Sequence, residues 1–299
     1  MIAVAGATGY IGGLLCKRLR EQGEEVRALA RKPEEAGELV EAGCEVIKAD
    51  VLKPTTLRPA LEGAEVAYYL VHSMGRGGDG DFAARDEAGA ENFAAAASAA
   101  GVRRIVYLGG LGDGSKHLAS RHATATKLRE GDVPVTYFRA AAVIGAGSES
   151  FLTVFHLVRR LPVMVTPRWV KTRTQPIAIE DIVSLLSAAA DLEAPVDREI
   201  QVGGPDVTTY GGMFDELARA LGRRPPLRIT VPVLTPALSS LWIGLVTPVD
   251  AGVARPLVEG LSTETIVTDY SGLELFPEIE LTPLFQALRE TVENLPVRV

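Results

Sequence analysis

The sequence predicts an α/β fold in which a doubly wound parallel sheet is followed by a smaller C-terminal lobe. Two observations support this prediction. Short apolar runs alternate with helical runs through the first half of the chain, and a glycine-rich turn directly follows the first apolar run. Alternating strands and helices need right-handed crossovers, which give a parallel sheet with helices on both faces.

The apolar runs of the first half predict six strands, at residues 2–5, 25–30, 45–48, 66–71, 104–108 and 135–139. Between them, the apolar spacing and the capping residues predict helices at 10–22, 33–41, 54–62, 81–100 and 117–130. The first of these helices places Ile11, Leu14, Leu15 and Leu19 on one face. That face is the one we expect to lie against the sheet.

The second half of the chain is less regular. It predicts helices at 151–160 and 210–221, a helix that follows 177–181 and ends near 191, and strands at 199–202 and 228–231. No repeat or low-complexity linker separates two independent folds. We therefore expect an N-terminal domain over 1–150, to which 171–192 contribute, and a C-terminal lobe over 151–299, with a cleft between them.

Composition limits the classes of function. Of the 299 residues, 47% are hydrophobic and 23% are charged, and the net charge is −7. An acidic chain without a Lys/Arg block is unsuited to a nucleic-acid partner. Cys16 and Cys44 have no CxxC or His-paired spacing, which predicts buried thiols in a reducing cytoplasm and no metal site. The first residues enter a strand directly, which is not the pattern of a signal peptide.

An uncharged run at 231–249 approaches the length of a membrane-spanning helix. It contains Pro232, Pro236 and Pro248, which break helices. We expect this run to form short buried helices of the C-terminal lobe, in part at a subunit interface, and to form no membrane span. A homodimer or another protein partner is left open.

The first strand ends in a turn with the pattern Gly-x-x-Gly-x-x-Gly, at Gly6, Gly9 and Gly12. In a dinucleotide-binding turn, the first glycine allows the tight turn, the second the approach of the pyrophosphate, and the third close contact of helix and strand. The helix N-terminus then offers free N–H groups to the phosphates. Since a strand precedes the turn and a helix follows it, we predict a Rossmann-type site. It includes Thr8, Tyr10 and Ile11.

The end of the second strand distinguishes the two nicotinamide cofactors. An acidic residue there would bind the ribose hydroxyls of NAD, whereas the chain has Arg31 and Lys32. A guanidinium suits the 2′-phosphate of NADP. We therefore expect NADP, with NAD possible and Arg31 as the chief ligand. The alternative is a solvated pair of surface charges.

The ends of the next two strands complete the predicted cofactor site. Asp50, followed by Val51, can accept from the adenine amino group or cap the next turn, and the two roles are compatible. Leu70, Val71 and His72 end the fourth strand, at the edge where such sheets bind ligands. The glycine-rich residues 75–80 form either a loop over the cofactor or a connector.

These features resemble the atypical, extended branch of the short-chain dehydrogenase/reductase superfamily, and in particular its NmrA-like NAD(P)-binding members. The resemblance covers residues 1 to about 222. It depends on the glycine turn, Arg31, Asp50 and Val51, and further on the stretches at 86–92, 106–110, 117–121, 136–139, 167–170, 177–181 and 202–205. It implies a cofactor site and, in active members, hydride transfer.

The resemblance also exposes a departure. Active members use a Ser after the fifth strand and a Tyr-x-x-x-Lys on the next helix. The aligned positions are Gly109, His117 and Arg121. The resemblance therefore supports cofactor binding more strongly than hydride transfer.

His117 and Arg121 lie four residues apart and so share a helix face. We interpret His117 as a general acid and Arg121 as a ligand of the nicotinamide ribose. The alternative is that both are structural. Several aromatic residues line a substrate pocket in one interpretation and belong to the core in the other, namely Phe151, Phe155, Trp169, Tyr210 and Trp242.

Two functions follow from the sequence. One is an NADP(H)-dependent oxidoreductase acting on an apolar carbonyl or enone compound. The other is a non-catalytic NAD(P) redox sensor that acts through a protein partner. Loss of the Ser-Tyr-Lys set favours the sensor, and a deep apolar pocket would favour the enzyme.

Overall fold

The structure is a computed structural model that describes residues 1–72, 82–192, 197–230 and 263–295. Its strands are β1 Ile2–Ala5, β2 Val26–Ala30, β3 Glu45–Lys48, β4 Val66–Tyr69, β5 Arg104–Gly110, β6 Val135–Ala140, β7 Val143–Ile144, β8 Val163–Thr166, β9 Arg173–Thr174, β10 Ile177–Ala178, β11 Arg198–Val202, β12 Thr208–Thr209 and β13 Leu227–Thr230. Its α-helices are α1 Tyr10–Glu21, α2 Gly37–Glu41, α3 Pro54–Leu61, α4 Phe82–Ala100, α5 Lys116–Arg129, α6 Glu149–Arg160, α7 Ile179–Ala188, α8 Tyr210–Ala220 and α9 Leu284–Glu293.

Seven strands form the central sheet in the order β3-β2-β1-β4-β5-β6-β11. Every ladder in it is parallel. From β1 the strands are added first towards one edge of the sheet, as β2 and β3, and then towards the other edge, as β4, β5 and β6. The point between β1 and β4 is therefore a topological switch point, where sheets of this kind bind ligands. The predicted doubly wound α/β fold is confirmed.

The sheet buries side chains on both faces because successive strand residues point in opposite directions. Tyr68 belongs to the cluster beneath α1 and α7, and the neighbouring Tyr69 to the cluster beneath α3, α4 and α5. Cys16 and Cys44 are buried free thiols, as predicted. The core thereby fixes the carboxyl ends of β1, β4 and β5 at one edge.

The C-terminal lobe has its own apolar cluster, built from α6, α8 and α9. Beside it, β8 pairs with β13 in parallel and β9 pairs with β12. Thr209 caps α8 by accepting from the amide of Gly212 at 3.0 Å. The sequence analysis did not propose β8 or α9, and it assigned strand β11 no place in the sheet.

The segment at 263–270 returns to the edge of the sheet. The amide of Gln175 donates to the carbonyl of Thr265 at 2.9 Å. The buried side-chain amide of Gln175 donates to the carbonyl of Gly204 and accepts from the backbone amide of Val267 at 2.9 Å. These bonds hold Thr265 at the mouth of the cleft described below.

Three predictions, the loop at 75–80, the run at 231–249 and the place of Trp242, lie outside the described residues. None of the helices within the described ranges has the length and apolar character needed to cross a bilayer. The division into 1–150 and 151–299 stays a prediction.

Candidate cofactor and active site

A cleft of about 550 Å³ opens at the carboxyl ends of β1, β4 and β5 and continues to the C-terminal lobe. Every residue predicted for the site except Lys32 lines it. These residues are Gly6, Thr8, Gly9, Tyr10, Ile11, Gly12, Arg31, Asp50, Val51, Leu70, Val71, His72, Gly109, His117 and Arg121. The fold therefore brings the predicted phosphate loop and the predicted catalytic helix to one cavity.

The glycine turn has no room for side chains at two of its positions. Gly6 has a φ of +86°, and a β-carbon there would lie 2.6 Å from the carbonyl oxygen of Leu70. A β-carbon on Gly12 would overlap the carbonyl oxygen of Gly6. Helix α1 begins after Gly9, has no side-chain cap and has no acidic residue in its first turn. Its positive end is therefore suited to a pyrophosphate.

Arg31 and Lys32 have different surroundings although they are adjacent. Arg31 lines the cleft, is exposed and has no ion pair among the described residues. The amine of Lys32 lies 2.5 Å from a carboxylate oxygen of Glu35. Arg31 is therefore available to a phosphate, whereas Lys32 is neutralised outside the cleft.

The Asp50 carboxylate caps its own turn. One oxygen accepts from the amide of Leu52 at 3.0 Å. The residue nevertheless lines the cleft, so capping and a contact to adenine are compatible. Asn92 on α4 donates to the carbonyl of Val51 at 3.0 Å and fixes this turn to the helix.

Tyr10 connects the phosphate loop to the C-terminal lobe. A β-carbon on Gly145 would lie 2.6 Å from the phenol oxygen, and the ring lies against Gly147. Burial raises the pKa of Tyr10, and backbone groups of Gly147 form hydrogen bonds with it. Two glycines therefore let the first residue of α1 support the turn that leads to α6.

His117 lies half-buried on α5, in the wall of the cleft. Burial, and then the nearby charge of Arg121, lower the pKa of His117 to about 3. The imidazole is therefore neutral at physiological pH. This disfavours the general-acid role that the sequence suggested, because that role needs imidazolium.

The side chain of Arg121 is hydrogen-bonded to the backbone of strand β5. One terminal nitrogen donates to the carbonyl of Leu108 at 3.1 Å. Its Nε is buried and has no hydrogen-bond partner among the described residues. A buried donor without a partner is costly, and this nitrogen is closed off from solvent, so it is not a contact point for a ligand in the structure as it stands.

Gly109 stands where the related enzymes have their Ser, and Tyr137 occupies the space beside it. A β-carbon on Gly109 would lie 2.7 Å from the phenol oxygen of Tyr137. Tyr137 is buried, stacks on Tyr107 at 5.0 Å and forms a 3.0 Å hydrogen bond with Nδ1 of His122. A serine side chain at this position would therefore overlap Tyr137.

Many residues of the cleft wall were not predicted from the sequence, and three polar ones among them are Arg85, Asp86 and Thr265. Asp86 is buried and accepts from the hydroxyl of Ser120 at 3.3 Å. A signal existed, because Asp86 precedes the apolar residues Ala90 and Phe93 on one helix face. No local signal indicated Thr265, which reaches the cleft only through the return of the chain.

The cleft, with its uncapped helix end and unpaired arginine, defines a dinucleotide-binding protein. A family model described as NAD(P)H-binding matches residues 6–145. The chain therefore has an NAD(P)H-binding domain, as the resemblance implied, and the nicotinamide cofactor inferred from the sequence is confirmed.

Two relatives named as reductases support a reductase-like family. Ceramide reductase of Caulobacter vibrioides is 29% identical over 284 residues, which cover 91% of this chain and 86% of that protein. The (4-alkanoyl-5-oxo-2,5-dihydrofuran-3-yl)methyl phosphate reductase of Streptomyces griseus is 29% identical over 240 residues, or 76% of each chain.

A solved structure shows the same fold. Triphenylmethane reductase of Citrobacter sp., complexed with NADP(H), superposes with a TM-score of 0.78 at 21% identity, over 97% of this chain and 100% of that one. The similarity extends through the C-terminal lobe, beyond the 6–145 of the family match.

Proposed function

We propose that this protein is an NADP(H)-dependent reductase of an apolar carbonyl or enone compound. The observation that carries the proposal is the continuity of the cleft. It runs from the phosphate loop past Gly109 and His117 to Tyr210 of the C-terminal lobe. A cofactor and a second small molecule can therefore share one cavity.

The residues of the cleft fit the cofactor. The free end of α1 suits the pyrophosphate, the unpaired Arg31 suits a 2′-phosphate, and Arg121, which lines the cleft, suits the nicotinamide ribose. When bound, the nicotinamide supplies a hydride to an electrophilic carbon.

His117 contributes a hydrogen bond in this proposal. At neutral pH its imidazole is uncharged and keeps one ring N–H. It forms no side-chain hydrogen bond that would occupy it within the described part of the chain. The N–H can therefore donate to a substrate oxygen on which negative charge develops. Because the pKa of His117 is about 3, the ring stays neutral between pH 6 and 8 and this contribution should be constant there.

The remaining wall of the cleft favours an apolar substrate. Leu111, Leu118, Ala141 and Val143 line it beside the buried Tyr210. The names of the two reductase relatives, which mention ceramide and an alkanoyl group, support the same substrate class.

The test is NADPH oxidation with a panel of aldehydes, ketones, quinones and enones, for the wild type and for His117→Ala. Removing one preorganised donor to a developing oxyanion lowers kcat by about 10²–10³. We expect that loss with NADPH affinity unchanged, and a wild-type rate that is flat between pH 6 and 8. A rate that falls above about pH 6.5 would restore the general-acid mechanism instead.

The second candidate is the redox sensor, and the close packing of Tyr137 against Gly109 is the observation that favours it. A sensor keeps the cofactor site without needing the family's catalytic set. If no compound of the panel is reduced and a protein partner binds the NADP⁺ and NADPH forms unequally, the sensor replaces the reductase.

We assign the protein to the cytoplasm, where the two free thiols would stay reduced. A homodimer remains a proposal, to be tested by light scattering.

A further inference from the structure

The two-stranded β8–β13 ladder of the C-terminal lobe turns an apolar face to solvent. Leu227 pairs with Val163 across the ladder, and Ile229 lies two residues further along β13. These three side chains are 47–65% exposed, whereas Met164 on the opposite face is buried. Alternation along a strand places the three on one side. Grouped large apolar side chains of this kind indicate an interaction site.

Exposed cations stand at both ends of this ladder. Arg159 and Arg160 directly precede β8, and the guanidinium of Arg223, just before β13, donates to the carbonyl of Arg159. Arg168 and Lys171 lie in the short 3₁₀ turn that follows β8. We call the three apolar residues and these five cations the basic apolar face.

The charge around this face differs from that of the whole chain. Residues 157–179 contain five cationic and no acidic residues, and 217–230 contain four cationic and no acidic ones, although the net charge of the protein is −7. Arg219 and Arg228 have acidic partners. Arg168 and Lys171 have no ion pair among the described residues, so the charge of these two side chains is not neutralised within this part of the protein.

We propose that the basic apolar face docks on the surface of a bilayer that contains anionic phospholipids, without crossing it. Apolar side chains rimmed by cations match the boundary between acyl chains and phosphate headgroups. A nucleic acid would use the cations but would leave Val163, Leu227 and Ile229 in contact with water. A bilayer satisfies both chemistries at once.

The face lies close to the cleft. Trp169, between Arg168 and Lys171, contacts the ring of Tyr210 edge-on with centroids 5.9 Å apart. Tyr210 in turn lines the cleft. If the proposed reductase function is correct, docking would bring the cleft to substrates dissolved in the membrane. The docking itself does not depend on turnover.

Sedimentation with vesicles tests the proposal. The full chain should bind vesicles of phosphatidylcholine with phosphatidylglycerol, bind pure phosphatidylcholine far more weakly, and dissociate at high salt. Each cation near an anionic surface contributes about a fivefold gain in affinity. The double variant Arg168→Glu/Lys171→Glu should therefore bind roughly 30-fold more weakly or worse. Leu227→Ser/Ile229→Ser should lose at least about tenfold, because its apolar insertion is removed.

The matched control is Lys48→Glu/Arg58→Glu, which makes the same charge change at two exposed cations of β3 and α3. It should bind vesicles like the wild type. NADPH binding, measured by fluorescence, should be unchanged in all variants and shows that they fold.

Three results would overturn the proposal. One is equal binding of the wild type and the charge variant, or no binding to anionic vesicles at all. Another is a concentration-dependent dimer that Leu227→Ser/Ile229→Ser disperses, which assigns the face to a second copy. The third is salt-sensitive binding of DNA without vesicle binding. Each is separate from the reductase proposal, because turnover of a water-soluble carbonyl needs no vesicle.

Discussion

The two ends of the cleft contrast in how they are built. At the phosphate end, backbone atoms form the binding surface, and there is no room for a side chain at Gly6 or Gly12. At the opposite end, side chains from β5 and α5 form the wall, and the three family positions there are Gly109, His117 and Arg121. The first end has the glycine pattern of a dinucleotide-binding turn, and the second is expected from the sequence resemblance to depart from the catalytic set of active members.

The difference follows from the physics of each end. A backbone cradle works only in one geometry, so changing its glycines disrupts both fold and binding. A side-chain site can change by local repacking, and here Tyr137 fills the space beside Gly109. We therefore expect cofactor binding to be separable from the function of the opposite end, and three measurements test this expectation.

The largest effect is expected at the phosphate end. Arg31→Ala should weaken NADPH binding about tenfold to a hundredfold, since a charge-assisted contact contributes about 1.5–3 kcal/mol. NADH, which lacks the 2′-phosphate, should bind equally to both proteins. Titration calorimetry with both cofactors measures this.

The control is the neighbouring Lys32→Ala. Its amine is paired with Glu35 outside the cleft, so its removal should change NADPH affinity little. Equal affinities of the wild type for NADPH and NADH would refute the assignment to Arg31.

The next effect concerns the end of the cleft at Gly109. Gly109→Ser should not restore a catalytic hydroxyl but should lower the free energy of unfolding by about 1–3 kcal/mol, because the new side chain overpacks against Tyr137. Urea unfolding measures the change. NADPH binding in the folded variant should persist, which would separate the two ends of the cleft. A variant as stable as the wild type would show that the ring of Tyr137 can move aside at little cost, which contradicts the expected overpacking.

The most gradual effect, the smallest per step, is a pH dependence of stability at His117. Its folded pKa is about 3, below the ordinary 6.5, so below pH 6.5 the unfolded chain binds a proton that the folded chain does not. Stability should therefore fall as the pH drops from 6.5 towards 3. For this half-buried group we expect a loss of about 1 kcal/mol per pH unit relative to His117→Gln. Urea unfolding between pH 7 and 4 compares the two, and parallel curves would contradict a neutral buried His117.

The regular first half was predictable because its signals are local. The spacing of apolar residues and the flanking glycines predicted the bounds of β1 and β3 and the first residue of α1 as the structure has them. The ends of β4 and β5 differ by two residues from those predicted, since pairing with neighbouring strands decides where a strand stops. Strand β11 could not be placed from the sequence, because the residues of its parallel partner β6 lie 62 positions earlier.

The residues of the site also fall into those that local sequence patterns indicate and those that only the folded structure brings together. The glycine spacing and Arg31 are local patterns, so the sequence alone determined an NAD(P)H-binding domain. Asp86 and Thr265 enter the cleft through distant contacts, and the low pKa of His117 comes from burial beside Arg121. Only the tertiary structure decided these, because burial and charge proximity depend on what the folded chain brings near each group.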